Sequence, residues 1–274
     1  MWVIVLIRDN TPVEYYQIKE CPVLVKREDL SAISPLPPFS KVRGVYPHMV
    51  ELKKMGVDTV GYVETSISMA GIAVSVLGQK LGIKVVIFDP QYKQDNEVLI
   101  KHRSKWKEFG AELLPIKAGM AKVNWNIARK VMKSYPNSIL LPLGLPFKET
   151  IEETAKEVQR TDLTGIKSLI VSVGSGTICA GVLKGIGNKG PNIYGVLCRK
   201  GNISKKRKKI FLGSGVLDIG IDFILIDMGY EYTDRVDMEI PFPCNPYYDG
   251  KAFKWLVDNI DKTPKPVMFW NIGE

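Results

Sequence analysis

The sequence predicts an α/β protein of two lobes, with open, mostly parallel sheets flanked by helices. Three observations carry that prediction. From about residue 58 onward, short apolar runs alternate with stretches of helical periodicity, the pattern of parallel strands with helices packed on their faces. The runs are apolar at nearly every position, so they read as buried strands. The chain has 274 residues and 45% hydrophobic content, enough core for one large domain or two small ones.

Taken in order, Met1–Ile7 is an apolar run of strand length that stops at Arg8, and Val23 opens a hydrophobic strand. Strands are expected at 59–63, 84–88, 111–116 and 138–143. Between them, Met69, Ile72, Ala73, Val76, Leu77 and Leu81 follow helical spacing, as do Val98, Leu99, His102, Trp106 and Phe109. A second set follows, with a helix near 147–159, a strand at 168–173, a helix from Ile178 and a strand at 192–197. A weakly patterned stretch leads to a helix at 250–260 and a strand at 266–270. The domain division expected is a smaller inserted α/β domain at 48–144, within a larger domain made of 1–47 and 145–274.

Composition narrows the chemistry. The opening run is far short of the roughly 20 residues of a membrane span, and it lacks a cleavage-site pattern, so a cytoplasmic protein is expected. The four cysteines are scattered without a CxxC pair, and only His48 and His102 are histidines. No metal site is expected, and reduced thiols are the plain reading. His102 falls on the apolar face of its helix and reads as a satisfied core histidine. The net charge is +9, and Lys200–Lys209 (KGNISKKRKK) puts six cations in ten residues. Such a run either attracts polyanions or is a solvated loop.

Three segments could carry chemistry. Gly174, Ser175, Gly176 and Thr177 lie between an apolar strand and a helix, where glycines admit an anion to the helix amides. A phosphate loop and a structural tight turn are the two readings. The dinucleotide fingerprint needs a glycine where Cys179 stands, and Gly181 comes two positions late. In VETSISMAG (63–71), Thr65, Ser66 and Ser68 offer hydroxyls at a helix start, suited to a carboxylate or simply to a cap. NPYYDGKAF brings two tyrosines and Asp249 to the start of a helix, where an acid is also an ordinary first-turn residue.

In order, these segments resemble the pyridoxal-phosphate enzymes of fold type II, which share the tryptophan synthase β-subunit fold. VKREDLSAISPLPPFSKVRG is similar to the threonine dehydratase segment that runs from KREDL to SFKxRG. The lysine there forms the Schiff base with the cofactor, which the resemblance carries to Lys41. ETSISMAGIAVSVLGQKLGIKVVIF resembles the block that opens with a TSGN or SSGN loop, and GSGTICAG resembles the loop that holds the cofactor phosphate. NPYYDGKAF looks like the DPVYxGKA block of aminocyclopropane-carboxylate deaminases and D-cysteine desulfhydrases. VMFWNIG falls where those enzymes read a strand followed by HTGG.

The resemblance implies a compact version of that fold, with pyridoxal 5′-phosphate as cofactor, held in the larger domain. Lys41, Gly174, Ser175, Gly176, Thr177, Asp249 and Ser68 would hold the cofactor, and Thr65, Ser66, Ser68 and Tyr248 would meet the substrate. Lys41, Tyr248 and Asp249 would be catalytic, with Asp249 facing the pyridine nitrogen. The usual asparagine is replaced by Met69 or Ser68, HTGG by NIGE, and the chain is shorter than the usual enzyme. These departures imply a divergent substrate, a site opened to something bulky, or loss of catalysis.

The leading expectation is an enzyme acting at the Cα of an amino acid or amino-acid-like group, of deaminase or lyase type. One alternative is decarboxylation or other modification of an amino acid attached to nucleic acid, as in phage-type base hypermodification, with Lys205–Lys209 as a basic loop for the polyanion. Another is a non-catalytic binding protein with the same fold. The partners expected are a small-molecule substrate, the nucleic acid of the alternative, and a second copy in a homodimer, with no membrane.

Overall fold

The computed structural model describes residues 6–216 and 220–273. Most of the opening run Met1–Ile7 lies outside them. Along the chain run β1 (Val13–Ile18), β2 (Cys21–Arg27), α1 (Val42–Lys54), β3 (Thr59–Val63), α2 (Ala70–Leu81), β4 (Lys84–Gln91) and α3 (Glu97–Glu108). Then come β5 (Glu112–Lys117), α4 (Ala121–Val131), β6 (Ser138–Leu140), α5 (Lys148–Arg160), β7 (Ser168–Val173) and α6 (Thr177–Ile186). The last are β8 (Asn192–Leu197), α7 (Ile203–Ser214), β9 (Phe223–Ile226), α8 (Asp249–Asn259) and β10 (Val267–Asn271).

The chain divides into two compact units. The first holds the residues up to Ile33, Pro38–Gly44, and those from Phe147 on; the second holds Ser34–Pro37 and Val45–Pro146. The first unit is built on a six-stranded sheet in the order β1-β2-β10-β7-β8-β9, parallel except for β1. Alternate residues of its strands feed two cores, as the two-residue strand period requires. Leu169, Val171, Met268 and Trp270 pack with Val158, Val182 and Leu183 on one face. Ile170, Val267 and Phe269 pack with Phe253 and Leu256 on the other. Both faces are thus covered, which explains the continuous apolar runs.

The second unit carries a parallel four-stranded sheet, β5-β4-β3-β6. The strand expected at 138–143 stops at Leu140, because Pro142 has no amide to give to a ladder. Helix α4 was not expected. Its apolar Val123, Ile127 and Val131 face outward while Asn124 and Ala128 are buried, so its pattern runs opposite to that of a core helix.

The basic run, expected as a loop, is largely helical. Asn202 caps α7 by accepting the Lys205 amide at 2.8 Å, and Gly215 closes it in the left-handed conformation. Lysine and arginine are good helix formers, and Ile210 seats the helix in the core. Among the described residues no helix is long and apolar enough to cross a membrane.

Candidate active site

The charged end of β2 turns inward. Lys26 and Glu157 are both fully buried and pair at 2.7 Å. Arg43 forks onto Glu28 at 2.9 and 3.0 Å, and Arg27 reaches Asp29 at 2.7 Å. Each buried charge therefore has a partner, as burial demands. Together these pairs fix the backbone on either side of the proline-rich turn. Lys41 emerges from this frame just ahead of α1. Its Nζ donates to Ser175 Oγ at 3.2 Å and lies 5.6 Å from the Phe39 ring centre. Burial pulls the Lys41 pKa down to about 8, with the positive Lys209 and Lys206 adding to the fall and Cys198 opposing it.

β7 ends at Val173 and delivers Gly174–Gly176 to the start of α6. Gly176 has φ +91°, and a Cβ there would stand 2.9 Å from Ile210. Both facts favour glycine. The Ser175 and Thr177 hydroxyls bond at 2.8 Å. The first amides of α6 have no carbonyl a turn earlier to bond, and the helix dipole makes this end positive. From α7, Lys206 Nζ donates to the Gly174 carbonyl at 2.5 Å.

Asp249 begins α8 and is buried, accepting the Ser172 hydroxyl at 2.7 Å and the Ile272 amide at 3.3 Å. Burial raises its pKa to about 7, against the pull of those donors. Ile272 also accepts the Ser40 amide through its carbonyl, at 3.0 Å. The NIG segment at the end of β10 thus ties the residue before Lys41 to Asp249. Tyr248 meets Tyr232, hydroxyl to hydroxyl, at 2.6 Å. Lys251, fully buried, holds that region by donating to the carbonyls of Cys198 at 2.7 Å and Glu231 at 2.9 Å.

Lys41, Gly174, Ser175, Gly176, Thr177, Tyr248 and Asp249 all belong to the first unit, while Thr65, Ser66, Ser68 and Met69 belong to the second. There, Ser68 Oγ accepts the Ala70 amide at 3.1 Å and Ser66 is buried. The loop already carries a carboxyl group of its own. Glu64 accepts the Thr65 amide at 2.8 Å and the Gly71 amide, and burial raises its pKa to about 8. A Cβ on Gly71 would stand 2.6 Å from Glu64 Oε1 and 2.9 Å from Trp106 Nε1, so glycine is what lets the group fit.

His102 is buried as expected but not fully satisfied. Its ring bonds the Ser68 backbone, while Nδ1 has no partner among the described residues. Burial lowers its pKa to about 4.

Sequence reasoning counted Lys206 only within the basic run and missed Ser172, Tyr232 and Glu64. Asn202 three residues ahead of Lys205 was a readable capping signal for the helix that aims Lys206. The contacts of Ser172 and Tyr232 come from strand register and loop packing, which a single sequence does not display.

These residues fit pyridoxal phosphate. Lys41 could meet an aldehyde, the amides of α6 with Lys206 could hold a phosphate, and Asp249 has no ion pair among the described residues. A buried carboxylate in that state suits a protonated ring nitrogen.

The family model described as pyridoxal-phosphate dependent enzyme matches residues 5–208. A glycyl-dTMP PLP-dependent decarboxylase of Pseudomonas phage M6 is 39% identical over 282 residues, covering 98% of this chain and all of that protein. Among solved structures, an ACC deaminase homologue superposes with a TM-score of 0.81 at 20% identity, covering 98% of this chain and 90% of the other. O-acetyl serine sulfhydrylase isoform 3 from Entamoeba histolytica superposes with a TM-score of 0.68 at 17% identity, covering 100% of this chain and 89% of the other. The fold is therefore the expected fold type II, and its parallel sheets flanked by helices are those the sequence predicted. By its sequence and its fold, this chain belongs to the family of pyridoxal-phosphate dependent enzymes.

Proposed function

We propose that this enzyme removes the carboxylate from a glycyl group carried on a thymidylate, in free or polynucleotide form. The observation that carries the reading is the 39% identity, over almost the whole chain, to the phage glycyl-dTMP decarboxylase. It favours the alternative drawn from the sequence, an amino acid attached to nucleic acid, over deamination of a free amino acid. The exposed Lys205, Lys208 and Lys209 on α7 support it, since cations on one helix suit a phosphate backbone.

When bound, pyridoxal phosphate supplies an aldehyde that condenses with amines and a ring that accepts the electron pair released at carbon. The chain's residues do the rest. Lys41 Nζ, with its pKa near 8, gives up and takes back a proton close to neutral pH. Decarboxylation frees CO2 and leaves one proton to be delivered to the carbon, a role we assign to Lys41. Asp249, fixed by Ser172 and the Ile272 amide, offers a negative charge for the ring nitrogen. The amides of Gly174–Thr177 anchor the phosphate. Thr65, Ser66, Ser68 and Tyr248 are assigned to the substrate.

The test is to incubate the purified enzyme and pyridoxal phosphate with glycyl-dTMP, with an oligonucleotide bearing the same base, and with free glycine. Loss of CO2 from either nucleotide substrate, with no ammonia released, is the expected result. Ammonia release would return the enzyme to the deaminase type, and turnover of glycine alone would make a free amino acid its substrate.

A further inference from the structure

Helix α7 divides the basic run into two faces. Lys205, Lys208 and Lys209 are exposed. Arg207 is occupied by the chain itself, donating to the Phe223 carbonyl and stacking 5.3 Å from Phe211 and 5.2 Å from Phe223. Lys206 points the other way. Its Nζ meets the Gly174 carbonyl at 2.5 Å, and its stem lies 3.7 Å from where a Cβ on Gly176 would stand. Ile210, one turn on, shares that face and packs against the same loop.

The charge on Lys206 is poorly matched to these surroundings. Its known partner is a neutral carbonyl, and among the described residues no carboxylate lies within ion-pair distance of Lys206, Arg199 or Lys209. Burial lowers its pKa, and Lys209 and Arg199 lower it further. A half-buried cation with cations for neighbours is stabilised by an anion. The adjoining amides at the start of α6 favour an anion at the same place.

We infer that Lys206 is a ligand for a phosphate monoester seated at the glycine-rich loop, exchanging the Gly174 carbonyl for a phosphate oxygen. Two molecules could bring that group, the cofactor and the nucleotide substrate. Only the second source rests on the proposed reaction.

The experiment uses Lys206→Met, which keeps the stem over Gly176 and removes the charge, with Lys206→Gln as a second variant should the first not fold. Cofactor-free protein is titrated with pyridoxal 5′-phosphate, with pyridoxal, which lacks the phosphate, and with dTMP, following intrinsic fluorescence. A charge-assisted bond to phosphate predicts about tenfold or more weaker binding of pyridoxal 5′-phosphate. Pyridoxal affinity should fall far less, by no more than the small change in the Lys41 pKa that losing the Lys206 charge brings, and Lys206→Arg should restore most of the loss. If dTMP alone is weakened, the phosphate is the nucleotide's. Unchanged affinity for both phosphate compounds, or an equal loss for pyridoxal, would overturn the inference. None of these outcomes depends on which carbon bond the enzyme breaks.

Discussion

Ser172 gives its hydroxyl to Asp249 at 2.7 Å inside the first unit, and the Ile272 amide reaches the same oxygen. Burial nevertheless outweighs these donors and raises the Asp249 pKa to about 7 from its ordinary 3.8. The folded protein therefore holds a proton there that the unfolded chain has already released. This contribution to stability is fully present below about pH 4 and is lost as pH rises through 7. Each unit of displacement corresponds to roughly 1.4 kcal/mol. Asp249→Asn is expected to flatten the melting temperature of the cofactor-free protein between pH 4 and 7. Glu64, raised from 4.5 to about 8, acts in the same direction across that wider range, so Glu64→Gln should flatten the curve from about pH 4.5 up to pH 8. Thermal unfolding across that range checks both, and a slope unchanged in Asp249→Asn refutes the assignment.

The buried ions around β2 depend on one another. Glu157 faces Lys26 at 2.7 Å and Arg43 at 3.4 Å, so Glu157→Gln leaves two buried cations undercompensated. Breaking such a network by removing one partner destabilises by about 3–5 kcal/mol. Urea unfolding should show that loss, whereas Glu153→Gln, in an exposed pair with Lys156 on the same helix, should cost under about 1 kcal/mol.

If α7 meets a polynucleotide, its lysines contribute through counterion release. Changing Lys205, Lys208 and Lys209 to glutamine one at a time should weaken oligonucleotide binding. Each change should also reduce the slope of log K against log salt by about one. Arg207→Gln is expected to lower stability, because its guanidinium packs on Phe211 and Phe223. Salt titrations of the single variants separate the two effects, and slopes unchanged in all three lysine variants would remove α7 from the interface.

Much of this was legible in the sequence because the parallel strands are covered on both faces, so runs such as Ser168–Val173 announce themselves without any partner in view. The glycine-rich loop stood out because it joins a strand and a helix that the pattern reveals, whereas Lys41 and Asp249 were singled out through the family resemblance, since α1 after Lys41 was not expected. What escaped detection depends on contacts between distant segments. The bond from Ile272 to Asp249 needs the register of β10 against the start of α8. Helix α7 carries its charge nearly all round and so shows no apolar stripe, although Asn202 and Gly215 marked its ends. His102 read correctly as buried, but its unpartnered Nδ1 follows from packing beside Trp106 and has no sequence signature.

Lys41 is the residue proposed to carry the cofactor, and one measurement tests that role most directly. Purified enzyme loaded with pyridoxal phosphate should be yellow, lose its visible band on treatment with borohydride, and yield by peptide mass spectrometry a pyridoxyl adduct on Lys41. With the Lys41 pKa near 8, the rate of colour formation should rise with pH through that value, as the neutral amine becomes available. A Lys41→Ala protein that still forms the same reducible adduct, or an adduct found on Lys206 or another lysine, would contradict it.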